Sequence, residues 1–97
     1  MELWAAYSDY QVMSTKKSAA EEGPLRRFGA AVRIERKARG FSQESFADHV
    51  GLDRSYMGGV ERGERNLALL NIIRIVAALG MQPSDFFKHL DARIESA

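Results

Sequence analysis

The stretch that decides the fold is residues 42 to 66, SQESFADHVGLDRSYMGGVERGERN. Ser42 and Asp53 belong to the residue types that most often cap the start of a helix. Gly51 can adopt the left-handed conformation that ends a helix, and the apolar Leu52 beside it lets the turn pack inward. The stretch therefore predicts two short helices joined by a tight turn, which is the helix-turn-helix pattern.

Both predicted helices have one apolar side. The inward residues are Phe46, Ala47 and Val50 in helix 2, over about 43 to 50, and Met57 and Val60 in helix 3, over about 54 to 62. The outer side of helix 3 then carries Arg54, Ser55, Gly58 and Gly59. Gly63 is expected to end this helix.

These motifs resemble the Cro/repressor-like (XRE-type) helix-turn-helix proteins. The resemblance covers about residues 28 to 87, and the residues that carry it, in fixed order, are Arg36, Gly40, the SQE of 42 to 44, Ala47, Gly51, Glu61, Gly63, Ala77, Leu79 and Gly80. Within that family, the run LDRSYMGGVERGERN is similar to the controller proteins of restriction-modification systems. The resemblance implies a compact five-helix, all-α domain that regulates transcription, as a repressor or controller, by binding double-stranded DNA.

The chain is expected to divide into three parts. Residues 1 to 23 form an N-terminal extension that is flexible or a short helix, 24 to 92 the DNA-binding and dimerisation domain, and 93 to 97 a C-terminal tail. Because proline suits the first turn of a helix, helix 1 is predicted to begin at Pro24 and to run to about Arg39.

Helix 4, over about 69 to 79, reads LLNIIRIVAAL and has a single charge, Arg74. A helix that is apolar on all sides must bury more than one face, and the other short helices are too few to cover it. With helix 5, from Pro83 to about Leu90, it therefore favours a homodimer over the alternative of a fully packed monomer. The residues expected at the dimer interface are Ile72, Ile75, Leu79, Phe86, Phe87 and Leu90.

Composition fits a small intracellular DNA-binding protein. The 97 residues allow one domain, and the absence of cysteine excludes a disulfide scaffold and thiolate metal sites. No long charge-free apolar run and no secretory signal are present, so a cytoplasmic location without a membrane is expected. The net charge is only +1, but residues 25 to 40 hold six Arg or Lys against one acid, Glu35.

DNA recognition is assigned to helix 3 and to the residues around it. Arg54 can donate two hydrogen bonds to a guanine, and Ser55 can bind several bases or a phosphate. By resemblance, Gln43 meets a phosphate at the start of helix 2, and the loop after helix 3 supplies further phosphate contacts. The predicted DNA-binding residues are Gln43, Arg54, Ser55, Tyr56, Gly59, Arg62, Arg65 and Asn66.

Several of these positions have a second interpretation. Tyr56 either contacts DNA or covers the edge of the core, and Gly58 and Gly59 allow close approach either to DNA or to another part of the protein. Asp53 is interpreted as a helix cap, although an acid there can also accept a hydrogen bond from cytosine N4. Ala68 stands where the family often caps helix 4 with Ser or Thr.

Arg36 and Glu61 have a structural role by resemblance. In the family, an arginine on helix 1 pairs with the glutamate after helix 3, and both positions match here. They are therefore expected to form a buried ion pair that stabilises the fold.

Two other classes of function have less support in the sequence. An enzyme or a metal site needs more groups than the pairs Asp48 with His49 and Asp85 with His89 supply, so neither catalysis nor a cofactor is expected. A protein-interaction module of the antitoxin or anti-repressor type is the alternative to the regulator, and it would use the apolar surface of helices 4 and 5. A DNA-bound regulator can also contact a protein partner such as RNA polymerase.

Overall fold

The computed structural model describes residues 19 to 96, with the side chains of residues 23 to 88, 90 and 91. Over this range the chain is all-α, with five helices: α1 (Ala19–Ala38), α2 (Gln43–Val50), α3 (Arg54–Glu61), α4 (Leu69–Ala78) and α5 (Pro83–Ser96). The predicted five-helix architecture is confirmed. The extension before Ala19 lies outside the described residues.

Helix α1 differs from its prediction at its start. It begins at Ala19, so Pro24 lies inside the helix and not in its first turn. Residues 19 to 22 are Ala and Glu, which favour helix strongly, and Pro24 removes only one hydrogen bond near the start of the helix, to the carbonyl of Ala20. Helix α5 also continues past Leu90, to Ser96.

The core lies between the five helices, all of which pack on at least two others. Helix α1 packs on α3 and α5, α2 packs on α3 and α4, and α4 packs on α5. The rings of Phe28 and Phe86 meet edge to face with their centroids 5.4 Å apart. The buried apolar residues are Phe28, Ala31, Val32, Phe46, Ala47, Met57, Val60, Ile75, Val76, Leu79, Phe86 and Leu90.

This core corrects the predicted dimer interface. Four of the six residues expected there, Ile75, Leu79, Phe86 and Leu90, are buried within a single chain. Ile72 and Phe87 are half-buried and pack against the same core. The sequence showed correctly that α4 and α5 are rich in apolar residues, but it did not show which sides of the two helices face each other.

The outward side of α4 carries different apolar residues. Leu69, Leu70 and Ile73 are 72%, 59% and 41% exposed. Ala77 is also exposed and follows Ile73 by one turn of the helix. Leu69, Leu70, Ile73 and Ala77 are called the α4 face below.

Helix α1 approaches the carboxyl end of α3 very closely at Gly29. A Cβ atom on Gly29 would collide with the carbonyl oxygen of Val60 and would lie 2.7 Å from that of Glu61. Neither atom can rotate away, because both belong to the backbone. The close packing of α1 on α3 therefore requires glycine at this position.

Candidate nucleic-acid interface

The turn between α2 and α3 has the predicted geometry. Ser42 caps α2, since its hydroxyl accepts a 3.0 Å hydrogen bond from the N–H of Ser45, whose own hydroxyl accepts one from the N–H of Ser42. Gly51 has a φ of 88°, in the left-handed region. The N–H groups of Gly51 and Leu52 both donate to the carbonyl of Ala47 at 2.9 Å, which closes the helix.

Asp53 caps α3, as interpreted from the sequence. One of its carboxylate oxygens accepts a 2.9 Å hydrogen bond from the N–H of Ser55 and another from the Ser55 hydroxyl. These two bonds, with the side-chain bond the stronger cause, lower the pKa of Asp53. The cap is therefore present at neutral pH and is lost as the pH falls through this lowered pKa. The Ser55 hydroxyl is thus engaged within the turn in the free protein.

The inner side of α3 is anchored by a buried ion pair. Nε and Nη2 of Arg36 donate to the two carboxylate oxygens of Glu61 at 2.7 and 3.0 Å. The side chains of the pair are only 7% and 4% exposed. Arg36 Nη1 also donates to the carbonyl of Phe41 at 2.8 Å, so this arginine links α1, the α1–α2 turn and α3.

Gln43 joins the same network at the start of α2. Its Nε2 donates to Glu61 Oε1 at 3.1 Å. The side chain is half-buried, and the residue is the first of its helix. Because free backbone N–H groups at a helix start favour anions, the position remains compatible with the predicted phosphate contact.

The outer side of α3 presents Arg54 and Ser55, and both are exposed. Tyr56, the next residue, is half-buried and packs against the core. Its hydroxyl accepts a 3.2 Å hydrogen bond from Nδ2 of Asn71 on α4. In the free protein Tyr56 therefore covers the edge of the core, the second of its two interpretations.

The two glycines within α3 are buried beneath side chains of the predicted DNA-binding set. A Cβ atom on Gly58 would lie 3.1 Å from Arg62 Nη1 and 3.3 Å from Gln43 Oε1. A Cβ atom on Gly59 would lie 3.0 Å from Nε of Arg65. Between the two interpretations of these glycines, the contacts favour close packing inside the protein.

The loop after α3 is polar and holds two of the predicted cations. Arg62 forms an exposed ion pair with Glu64, with N–O distances of 3.0 and 3.1 Å, and this hydrogen-bonded pair raises the pKa of Arg62. The Arg65 guanidinium carbon lies 5.3 Å from the centre of the Tyr56 ring. Asn66 is exposed. Arg54, Arg62, Arg65 and Asn66 thus lie on α3 or on the loop that follows it.

Sequence reasoning missed three residues. Gly29 is an isolated glycine in a helical pattern, which often marks close packing. Asn71 is the only uncharged polar residue of α4, and that contrast was visible in the sequence. Arg39, counted only as a basic residue, donates from Nε to the carbonyl of Leu79 at 2.6 Å and so binds the end of α4; nothing in the sequence signalled that contact.

Of the groups considered for catalysis, His49 and Asp85 have other contacts, and the side chain of His89 lies outside the described residues. The His49 ring stacks on Phe41 with centroids 5.1 Å apart, and Asp85 pairs with Lys88 at 3.3 Å. In the part of the chain that the structure describes, no cluster of three or more His, Cys, Asp or Glu residues has the arrangement of a metal site. Within the same part, no helix combines the length and the apolar character that crossing a membrane requires.

The chain also matches a known protein family. A family model described as helix-turn-helix matches residues 32 to 86, which is more than half of the chain. The chain belongs to the helix-turn-helix family. In this XRE-type helix-turn-helix protein the match begins inside α1 and ends inside α5, so it covers most of the described core; Phe28, Ala31 and Leu90 lie outside it.

Several relatives of this helix-turn-helix protein are restriction-modification controllers. Control protein C.MunI from Mycoplasma sp is 41% identical over 66 residues, which are 67% of this chain and 89% of that protein. The crystal structure of the controller C.AhdI from Aeromonas hydrophila is 49% identical, has a TM-score of 0.64, and covers 67% of this chain and 98% of that one. The narrower resemblance to controller proteins is therefore confirmed, and the protein is a DNA-binding regulator of the controller type.

A related structure contains DNA. It is the C.Esp1396I controller tetramer in complex with its natural 35 base-pair operator; it is 29% identical, has a TM-score of 0.69, and covers 80% of this chain and 97% of that one.

Proposed function

We propose that this regulator binds a palindromic operator as a homodimer, with α3 of each protomer in a major groove. The observation that carries the proposal is the exposed Arg54 in the first turn of α3, with the rest of that helix anchored by Arg36 and Glu61. An arginine on a rigid helix can make the bidentate contact to guanine that distinguishes it from other bases. In a dimer the two α3 helices would be separated by about one turn of DNA, 34 to 36 Å.

Phosphate contacts would come from both ends of the motif. Gln43 lies at the start of α2, and Arg62, Arg65 and Asn66 lie on or next to the loop after α3. Such contacts fix the orientation of the protein without reading sequence. Since Arg62 is paired with Glu64 in the free protein, it would have to exchange that carboxylate for a phosphate.

The α4 face supports the homodimer. Three of the four large apolar residues that are exposed in the described part of the chain belong to it. Large exposed apolar patches on small proteins mark interaction sites. Pairing the α4 faces of two copies would also suit a small domain, which gains buried area from oligomerisation.

Regulation would follow from the position of the operator. A dimer bound near a promoter either blocks RNA polymerase or contacts and recruits it, and a cytoplasmic location gives access to the DNA. Double-stranded DNA is thus the proposed partner, with RNA polymerase as the second, and no cofactor is required.

The test is selection of bound DNA from a random pool, followed by affinity measurements on the selected operator. We expect two related half-sites and two protomers per site. Arg54→Ala should weaken specific binding by about 1 to 3 kcal/mol and relax the preference at one base pair of each half-site. Lys88→Ala, which removes an equal charge from an exposed pair on α5, is the matched control and should leave the preference unchanged.

Two results would contradict the proposal. If Arg54→Ala binds every sequence as the wild type does, Arg54 does not read a base. If the wild type selects no sequence and shifts no DNA at about 50 mM salt, where phosphate contacts are strongest, the interaction-module alternative is favoured.

A further inference from the structure

Asn71 is a polar residue between apolar neighbours in α4, which favours a hydrogen-bonding partner for its side chain. Its neighbours in the helix are Leu70 and Ile72, and asparagine favours helix less than leucine does. The side chain is half-buried and lies on the side of α4 opposite the α4 face. There its Nδ2 donates the 3.2 Å hydrogen bond to the hydroxyl of Tyr56. The contact joins α4 to α3.

The Tyr56 ring in turn supports Arg65. The distance of 5.3 Å from the guanidinium carbon to the ring centre is within the range of a cation–π contact, about 6 Å. The stem of Arg65 passes over Gly59, because a Cβ atom there would lie 3.0 to 3.6 Å from its Nε, Cγ and Cδ atoms. A ring on one side and a bare backbone on the other thus hold a long, exposed side chain.

We propose that Asn71 is a positioning residue for DNA recognition, which fixes the Tyr56 ring so that Arg65 is held beside α3 before DNA arrives. The inference rests on the proposed function, in which Arg65 contacts DNA. Ordering a long side chain during association opposes binding, so an arginine that is already ordered binds more tightly. Asn71 itself touches no DNA and acts only through the ring and the guanidinium.

The first test is a double-mutant cycle on operator affinity. Asn71→Ala removes the hydrogen bond, and we expect binding to weaken about two- to tenfold, the range for one intramolecular hydrogen bond. In an Arg65→Ala background the same substitution should have no further effect, because the side chain that it positions is gone. An equal loss in both backgrounds would overturn the proposal.

The second test needs no DNA. A guanidinium that lies over a tyrosine ring has its N–H resonances shifted by the ring current, so the Arg65 Nε–H signal should move towards its ordinary position in Asn71→Ala. Tyr56→Phe keeps the ring but removes the hydroxyl, and it should move that signal in the same way. Gln82→Ala, which truncates an exposed amide side chain between α4 and α5, is the control and should leave the signal in place.

The two tests separate the failure of this inference from failure of the proposed function. An Arg65 signal that does not respond to Asn71→Ala or to Tyr56→Phe shows that Asn71 does not position Arg65, whatever the DNA result. A signal that responds in a protein that selects no DNA would refute the operator model, and with it a role of this contact in recognition. Melting temperatures of the variants close to the wild-type value would exclude unfolding as the cause.

Discussion

Helices α3 and α4 are built alike on their inner sides and differ on their outer sides. Both bury apolar residues in the same core, Met57 and Val60 from α3 and Ile75 and Val76 from α4. Outward, α3 presents Arg54 and other polar groups, whereas α4 presents apolar side chains. The polar side suits the edges of bases and the apolar side suits another protein, so the difference supports the proposal that each helix has a different partner.

The ends of the two helices are also stabilised differently. Helix α3 is fixed by side-chain hydrogen bonds at both ends, from the Asp53 cap to the Arg36–Glu61 pair. The start of α4 has no side-chain cap, since its capping residue is Ala68. A surface that reads DNA must be rigid to discriminate between bases. The proposed dimer would stabilise α4 through contacts with the second protomer.

The largest effect is expected when the ion pair that joins α3 to α1 is removed. Arg36→Ala leaves Glu61 buried without its cation, which typically costs about 3 to 5 kcal/mol of stability. DNA binding should then be lost because the domain unfolds. The measurement is urea unfolding followed by circular dichroism, with Lys88→Ala, which breaks an exposed pair, as the control that changes stability by about 1 kcal/mol or less. An unchanged helical spectrum and melting temperature in Arg36→Ala would contradict a structural role.

The α4 face is tested by placing charge on it. In the double variant Leu70→Lys with Ile73→Lys, two lysines would meet two more across the interface, and the dimer dissociation constant should rise by at least about 100-fold, or roughly 2.7 kcal/mol. Sedimentation velocity measures this, and the helical content should not change. Ile34→Lys, at an isoleucine of α1 that is 51% exposed, is the matched control. A wild-type protein that stays monomeric at micromolar concentration, with or without DNA, would rule out the homodimer.

Gly29→Ala tests the close packing behind α3. Alanine favours helix over glycine by about 1 kcal/mol, so in an open position this change would stabilise the protein. Here the new methyl group meets two backbone carbonyls, and we expect a net loss of about 1 to 3 kcal/mol. Gly23→Ala in the same helix is the control, because its methyl group would meet only the flexible Arg27 side chain at 3.4 Å. If both variants melt at higher temperature, α1 does not pack as described.

Except at the start of α1, the sequence predicted the features that depend on neighbouring residues. The caps at Ser42 and Asp53 and the left-handed Gly51 are local, and the structure confirms all three. What it could not predict depends on which sides of helices meet: four residues assigned to a dimer interface are core residues, and Asn71 reaches Tyr56 across fifteen positions of the chain. Periodicity identifies an apolar side, but not the partner that covers it.

The smallest change in stability is expected at the start of α4, which has no side-chain cap, whereas the start of α3 has one. In Ala68→Ser the new hydroxyl can accept from the N–H groups of Leu70 or Asn71, as Asp53 does from Ser55 at the start of α3, and an N-terminal cap of this kind is worth about 0.5 to 2 kcal/mol. Thermal unfolding should show the gain. Ala38→Ser, at an exposed position where α1 ends and no free N–H groups are available, is the control and should not stabilise the protein. If the cap raises the stability of a monomeric variant more than that of the dimer, the partner already orders the start of α4; equal gains in both would mean that the dimer contact does not include that end of the helix.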